Sequence, residues 1–194
     1  MKLPTLLTLL RIPLTFLAMG FVFVPGVLAK SASLGCFVVA SATDWLDSFL
    51  ARRWHQNSPL GALLDPIADK VLVLGMFLAF VQLGLIPAWM TLIIALREFL
   101  ITGVRLFASS RHIVLPAASE GKHKTVSQMC TIFLIFVALI LEELPHGPFS
   151  SPELAAVLDR SILWCLWVTM LLTVVSGTSF FWRHRAVLRD AVSH

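Results

Sequence analysis

The amino-acid sequence predicts an all-α integral membrane protein with about six transmembrane helices around a polar cavity that faces the cytoplasm. Hydrophobic residues make up 58% of the 194 positions, and the mean hydropathy is +0.87. Charged residues fall to 13%, against about 25% in soluble domains. The apolar residues are gathered in six runs, each near the roughly 20 residues that a helix needs to cross a bilayer. The runs cover residues 6–28, 31–51, 66–84, 88–107, 126–143 and 158–181.

Each run is interpreted as one membrane helix. The first is interpreted as a span rather than a secretory signal, because Arg11 interrupts the region that would precede the apolar part of a signal. The second and third flank a stretch rich in aspartate. The third and fourth are joined near Gly84 to Pro87 by a loop so short that it predicts an antiparallel hairpin. The fifth and sixth complete a chain whose length fits one domain over residues 1–194.

The placement of lysine and arginine predicts the orientation of the helices. All of these residues except Lys30 and Arg160 fall toward one side if both termini are cytoplasmic. We therefore expect a multi-pass protein of the cytoplasmic membrane, which is the inner membrane in a cell with two. No nucleic-acid partner is expected, because the basic residues line helix ends and have no soluble domain beside them. The opposite side collects the acidic residues Glu142, Glu143, Glu153 and Asp159.

Four aspartates in a stretch of 26 residues are the strongest indication of chemistry. A carboxylate at the centre of a membrane helix costs about 2.5 to 3.5 kcal/mol on insertion scales. Asp44 and Asp47 are three residues apart, and Asp65 and Asp69 are four apart, so each pair shares one helix face. Ligands that are all oxygen suit hard cations such as Mg²⁺ or Mn²⁺, and roughly two such ions would neutralise four carboxylates.

The spacing of this stretch resembles a known signature. It is written DxxDSxxARx8GxxxDxxxD here, and it resembles the DxxDGxxARx8GxxxDxxxD signature of the CDP-alcohol phosphotransferase family. One position departs, because Ser48 stands where the family has glycine. The matching residues are Asp44, Asp47, Ala51, Arg52, Gly61, Asp65 and Asp69.

This resemblance implies roles for the matching residues. Asp44, Asp47 and Asp65 would be metal ligands, while Asp69 would be the general base and a further metal ligand. The family is homodimeric, which implies a dimer here. The cytidine nucleotide would lie against Asp44, Ser48, Ala51, Arg52 and Gly61.

Other segments resemble the bacterial phosphatidylglycerophosphate synthases within that family. These are PTLLTLLRIP near the start, ALRE followed by an arginine, and GKxKTxxQ. The resemblance implies transfer of the phosphatidyl group of CDP-diacylglycerol, a membrane lipid, to glycerol 3-phosphate. A cluster of cations beside a metal site also suggests an anionic acceptor. Acceptor contacts are expected from Arg97, Arg105, Lys122 and Lys124, and diphosphate contacts from Thr5, Thr8 and Arg11.

Several alternatives remain at this point. Within the family, a cardiolipin synthase would use phosphatidylglycerol as the acceptor, and Ser48 would suit a catalytically silent relative. From a different class, a divalent-cation transporter would also carry acidic residues in the membrane. A purely structural reading makes the aspartates salt-bridge partners of Arg52, Arg53 and Lys70, although three cations do not explain their spacing.

Overall fold

The computed structural model is helical throughout the part of the chain that it describes. The backbone is described for residues 3–54, 59–111, 120–144 and 152–192, and the side chains for residues 9–43, 67–68, 70–109, 111, 123–144, 153 and 155–185. Within these ranges the chain forms six helices. They are α1 (Leu3–Phe23), α2 (Val27–Trp54), α3 (Pro59–Gln82), α4 (Ala88–Ser110), α5 (Glu120–Glu142) and α6 (Pro152–Val192).

A tight turn separates α1 from α2 and corrects the first predicted span. The apolar run continues to residue 28, but α1 ends at Phe23. Pro25 lacks a backbone N–H, and Gly26 takes a φ of 105° that favours glycine. The buried ammonium group of Lys30 then donates to the Val22 carbonyl at 2.5 Å, and this cation stabilises the carboxyl end of α1. Hydropathy alone does not detect such a turn, because apolar residues continue on both sides of Pro25 and Gly26 as far as Ala29.

The predicted hairpin between the third and fourth helices is confirmed. The Leu85 N–H donates to the Phe80 carbonyl, and the Gly84 N–H donates to the Val81 carbonyl, each at 3.0 Å. This is the Schellman arrangement, and Gly84 occupies its left-handed position with a φ of 77°. Pro87 then precedes the first turn of α4. The turn brings α4 back against α3.

Aromatic and aliphatic side chains of α2, α3 and α5 form the centre of the bundle. The rings of Phe80 and Phe136 meet edge to face with centroids 5.5 Å apart, and Phe37 packs on Phe136 at 5.9 Å. Phe77 and Ile94 are fully buried beside them. Such pairs add about 0.5 to 1.5 kcal/mol each beyond the area that they bury. The core holds the aspartate-bearing helices α2 and α3 against α5.

The outer surface of the bundle is apolar, while hydroxyl groups lie between helices. Leu92, Trp164 and Leu171 each expose more than 60% of their surface. By contrast, the hydroxyl oxygens of buried Thr131 and Thr169 lie 3.0 Å apart between α5 and α6. An apolar exterior around buried polar contacts is the arrangement expected in a bilayer.

Two of the described helices are long and apolar enough to cross a membrane. They contain His123–Glu142 and Ala155–Arg185. Shorter apolar segments lie in α1, α2 and α3, at Leu9–Phe23, Val27–Thr43 and Lys70–Gln82. The presence of six helices is therefore confirmed for the described residues, whereas six complete crossings and a cavity facing the cytoplasm remain predictions.

Candidate active site

The first half of the aspartate motif lies on the carboxyl-terminal part of α2. Asp44 follows Phe37 by seven residues and Ala40 by four, so the helical repeat puts it on the face that carries both. Phe37 and Ala40 are buried, with exposures of 4% and 0%. Asp47 follows Ala40 by seven residues and shares this face. The first pair therefore follows the buried stripe of α2 in the chain, and its side chains lie outside the described residues.

The second half of the motif lies on the amino-terminal part of α3. Asp65 precedes Leu72 by seven residues, and Asp69 precedes Met76 by seven. Leu72 and Met76 are buried, as is Ala68 between the two aspartates. The second pair therefore lies in the part of α3 that precedes these buried residues, and α2 contacts α3.

Four aspartates at helical spacing on two contacting helices would suit hard divalent cations. The side chains of the aspartates and of Arg52 lie outside the described residues, as does the loop at 55–58. Their role as metal ligands and the role of Asp69 as general base therefore remain predictions. The same holds for the nucleotide contacts of Ser48, Ala51 and Gly61.

A buried group of ionic side chains, which we call the Glu98 cluster, lies beside this motif. It consists of Lys70, Arg97, Glu98 and Lys124, from α3, α4 and α5. Lys124 donates to the Glu98 carboxylate in a short contact. The Arg97 guanidinium donates to the same oxygen at 3.2 Å, and the Lys70 ammonium lies 4.0 Å from the other oxygen. Lys70 also follows Asp69 directly in the chain, so the cluster adjoins the aspartate motif.

Helix α6 contributes to this cluster through its hydroxyl groups. Arg97 donates to the Ser176 hydroxyl at 3.1 Å, and its Nε atom is buried without a hydrogen-bond partner. Gly177 allows this approach, because a Cβ atom there would lie 3.1 Å from Cγ of Arg97. On the other side of the cluster, a cavity of about 20 Å³ is bordered by Lys70, Lys124 and Gln128. The buried Nε2 of Gln128 also lacks a hydrogen-bond partner.

The remaining predicted site residues do not all join this cluster. Arg105 lies two turns beyond Arg97 on α4, where it is exposed and its guanidinium carbon is 5.5 Å from the Phe180 ring centroid. Arg11 is buried on α1, with 1% exposure. The side chains of Thr5, Thr8 and Lys122 lie outside the described residues. Of the predicted acceptor residues whose side chains are described, the structure brings Arg97 and Lys124 together and leaves Arg105 apart.

Three members of this site were not predicted as site residues from the sequence. Lys70 was considered only as a salt-bridge partner of the aspartates. No role was predicted for Glu98, although it contacts cations from three helices. Ser176 lies beyond the segments that resemble the family. The sequence does contain a pattern that includes Ser176. The hydroxyl residues Thr169, Thr173 and Ser176 recur at helical spacing, and all three are buried.

Comparisons with known proteins agree with this geometry. A protein of Bacillus subtilis named CDP-diacylglycerol–glycerol-3-phosphate 3-phosphatidyltransferase is 38% identical over 157 residues, covering 80% of this chain and 74% of its own. A protein of the same name from Rickettsia bellii is 30% identical and covers 93% of both chains. A probable phosphatidylglycerophosphate synthase of Mycobacterium tuberculosis is 34% identical over 96% of this chain and 80% of its own.

The family assignment extends over most of the sequence. A profile of the CDP-alcohol phosphatidyltransferase family matches residues 1–175. This range includes both halves of the aspartate motif and all four members of the Glu98 cluster. The chain therefore belongs to the CDP-alcohol phosphatidyltransferase family.

Proposed function

We propose that this chain transfers the phosphatidyl group of CDP-diacylglycerol to sn-glycerol 3-phosphate, giving phosphatidylglycerophosphate and CMP. The observation that carries the proposal is the Glu98 cluster, in which three cations face one carboxylate among the described side chains. The excess positive charge suits an acceptor that carries a phosphate group. It adjoins Asp69 in the chain, where the acceptor hydroxyl would have to lie. Relatives of this chain bear the name of this activity.

The reaction needs one proton transfer and one exchange of bonds at phosphorus. Asp69 takes the proton of the primary hydroxyl of glycerol 3-phosphate. The hydroxyl oxygen then forms a bond to the β-phosphorus of CDP-diacylglycerol, while the bond between that phosphorus and the oxygen of CMP breaks. CMP leaves with the bonding electron pair, and no covalent enzyme intermediate is needed. A divalent cation held by the four aspartates would offset the charge of the diphosphate and of the departing CMP.

Other residues position the two substrates. Lys124 and Arg97 hold the phosphate of the acceptor. Lys122 and Arg105 assist from positions nearer the cytoplasmic ends of α5 and α4. Small residues of the motif permit close approach of the nucleotide to the backbone. Arg52 pairs with phosphate through its planar guanidinium group. Diphosphate contacts come from Thr5, Thr8 and Arg11 on α1.

The molecular setting is part of the proposal. The chain forms a single domain that acts as a homodimer in the cytoplasmic membrane, with both termini in the cytoplasm. The resident cation is Mg²⁺ or Mn²⁺, because all four predicted ligands are oxygens. Diacylglycerol tails stay within the bilayer while the polar reaction takes place at the cytoplasmic surface.

The direct test is release of CMP from CDP-diacylglycerol by the purified protein. Glycerol 3-phosphate, glycerol and phosphatidylglycerol are compared as acceptors at equal concentration. We expect turnover with glycerol 3-phosphate but not with the other two acceptors. A chelator should abolish this turnover, and added Mg²⁺ or Mn²⁺ should restore it. Turnover with phosphatidylglycerol instead would indicate a cardiolipin synthase, and no turnover with any acceptor would indicate a silent relative. Flux of divalent cations into proteoliposomes without CMP release would support a transporter.

A further inference from the structure

The outer faces of α4 and α6 enclose a groove that shares only Arg97 with the proposed acceptor site. The α4/α6 groove has a volume of about 670 Å³, within the range of ligand pockets. Its walls include Ile93, Leu96 and Leu100 from α4 and Phe181 from α6. Because the surrounding surface is apolar, this groove opens toward the bilayer. Its occupant must therefore present hydrocarbon along most of its length.

The groove is also cationic. Arg97 lines its middle, where the buried Nε atom has no hydrogen-bond partner. Arg185 lines the end nearest the carboxyl termini of both helices, with its guanidinium carbon 4.7 Å from the ring centroid of exposed Trp182. Gly177, which packs on Arg97, lies eight residues before Arg185, or about 12 Å along the axis of α6. No carboxylate occurs among the residues that line this groove in the described part of the chain.

The two helices run in the same direction, which fixes where the charges lie. Trp89 packs on Trp167, and Arg97 contacts Ser176 farther along both helices. Arg185 and Trp182 therefore lie toward one membrane surface, where an indole and a cation are favoured. The apolar walls extend from there toward the middle of the bilayer. An amphiphile with an anionic head and a hydrocarbon tail matches this order of groups.

We propose that the α4/α6 groove binds an anionic phospholipid, with its phosphate at Arg185 and an acyl chain along Leu96, Leu100 and Phe181. A second copy of this chain is a poorer occupant. If two copies share one orientation in the membrane, the exposed carboxylates of one copy lie at the level opposite to Arg185 of the other and cannot pair with it. Among the described side chains these carboxylates are Glu142, Glu153 and Asp159. An anionic phospholipid supplies the missing negative charge at the correct depth.

Fluorescence of Trp182 tests this proposal without depending on catalysis. The protein is reconstituted with brominated phosphatidylglycerol or brominated phosphatidylcholine at equal bromine content, and the same measurement on Trp182→Phe isolates the emission of Trp182. We expect stronger quenching by the acidic lipid, which excess unbrominated phosphatidylglycerol reverses. Arg185→Gln should weaken this preference roughly fivefold, since one cation near a membrane surface contributes about that factor.

Arg183→Gln is the matched control, because Arg183 is exposed two residues away and does not line the groove. It should leave the preference unchanged. Equal quenching by both lipids would overturn the proposal. So would an equal loss in the Arg183 and Arg185 variants, since that result indicates diffuse attraction to the membrane surface. Weak quenching by both lipids would also overturn it, by showing that protein covers the groove.

Discussion

At the residue scale, Glu98 joins three cations among the described side chains. It holds Lys124 and Arg97 in place and lies within reach of Lys70. Breaking a buried ion pair by removing one partner typically costs about 3 to 5 kcal/mol, because a charge is left without compensation. This arrangement therefore fixes the positions of the cations before any substrate binds.

The first prediction at this scale concerns Asp69. Asp69→Asn should abolish CMP release while CDP-diacylglycerol still binds, because the amide keeps the shape of the side chain and loses the base. Turnover and equilibrium binding of the lipid are measured on the same preparation. Asp159→Asn is the control, since Asp159 is exposed near the start of α6. Near-normal turnover of Asp69→Asn at saturating metal would show that another group takes the proton.

The second prediction separates the acceptor from the lipid substrate. Lys124→Ala should raise the Michaelis constant for glycerol 3-phosphate at least roughly tenfold, since a charge-assisted contact is worth about 1.5 to 3 kcal/mol. The constant for CDP-diacylglycerol should change much less. Arg105→Ala should act in the same direction but more weakly, because Arg105 is exposed and lies outside the Glu98 cluster. Equal weakening toward both substrates would place Lys124 outside the acceptor site.

The third prediction concerns the departure from the family motif. Ser48 lies on α2, where ordinary helical dihedrals do not require glycine. Ser48→Gly should therefore change the Michaelis constant for CDP-diacylglycerol by less than about tenfold, or 1.4 kcal/mol. This constant is measured by steady-state kinetics on the parent protein and on the variant. If the parent released no CMP and the variant did, the serine would be an inactivating substitution.

At the element scale, close packing of α1 on α3 depends on a glycine. A Cβ atom at Gly75 would lie 3.0 Å from Cγ2 of Thr15 and 3.1 Å from the sulfur of Met19. These contacts are tighter than ordinary van der Waals packing, so a larger side chain must push the helices apart. The spacing matters for function because α3 carries Asp65 and Asp69.

This packing gives a prediction about stability. Gly75→Leu should lower the free energy of unfolding by about 1 to 3 kcal/mol, the usual cost of overpacking. Gly35→Leu should change it by less than about 0.5 kcal/mol, because a Cβ atom at Gly35 meets nothing within 4 Å. Unfolding in mixed micelles with increasing denaturing detergent measures both. Similar losses in the two variants would mean that the α1 and α3 contact is not the cause.

The elements also show how far sequence reasoning reaches. Hydropathy predicted six helices because each apolar run is near the length of a membrane span, and the short loop at Gly84 predicted the hairpin. It misplaced the end of α1, because Pro25 and Gly26 are themselves apolar. The sequence predicted Arg97 and Lys124 as site residues, but not their contact with Glu98 and Lys70 or with Ser176, because packing between helices brings these residues together and no local spacing records it.

At the scale of the whole molecule, buried polar contacts lie within an apolar surface, and the described basic residues other than Lys30 and Arg160 belong to the predicted cytoplasmic side. The proposed orientation is tested with single cysteines in a background that lacks Cys36, Cys130 and Cys165. The two substitutions are Gln82→Cys, at the turn of the α3 and α4 hairpin, and Ser109→Cys, at its opposite end. Both parent residues are exposed.

An impermeant maleimide applied to intact cells should label position 82, because the positive-inside rule places this end outside. Position 109 should react only after permeabilisation. The cysteine-free protein gives the background signal. Labelling of position 109 in intact cells, with protection of position 82, would reverse the orientation.

The Glu98 cluster also has a consequence for biogenesis. Helix α4 enters the bilayer carrying Arg97 and Glu98, and each such charge costs about 2.5 to 3.5 kcal/mol near the centre of a lone helix. Its partners Lys124 and Ser176 are synthesised later, on α5 and α6. Within the described residues, those two helices are also long and apolar enough to cross a membrane. Stable integration of α4 therefore requires the carboxyl-terminal helices. Until those helices have been synthesised, the insertion machinery must keep α4 of the nascent chain away from lipid.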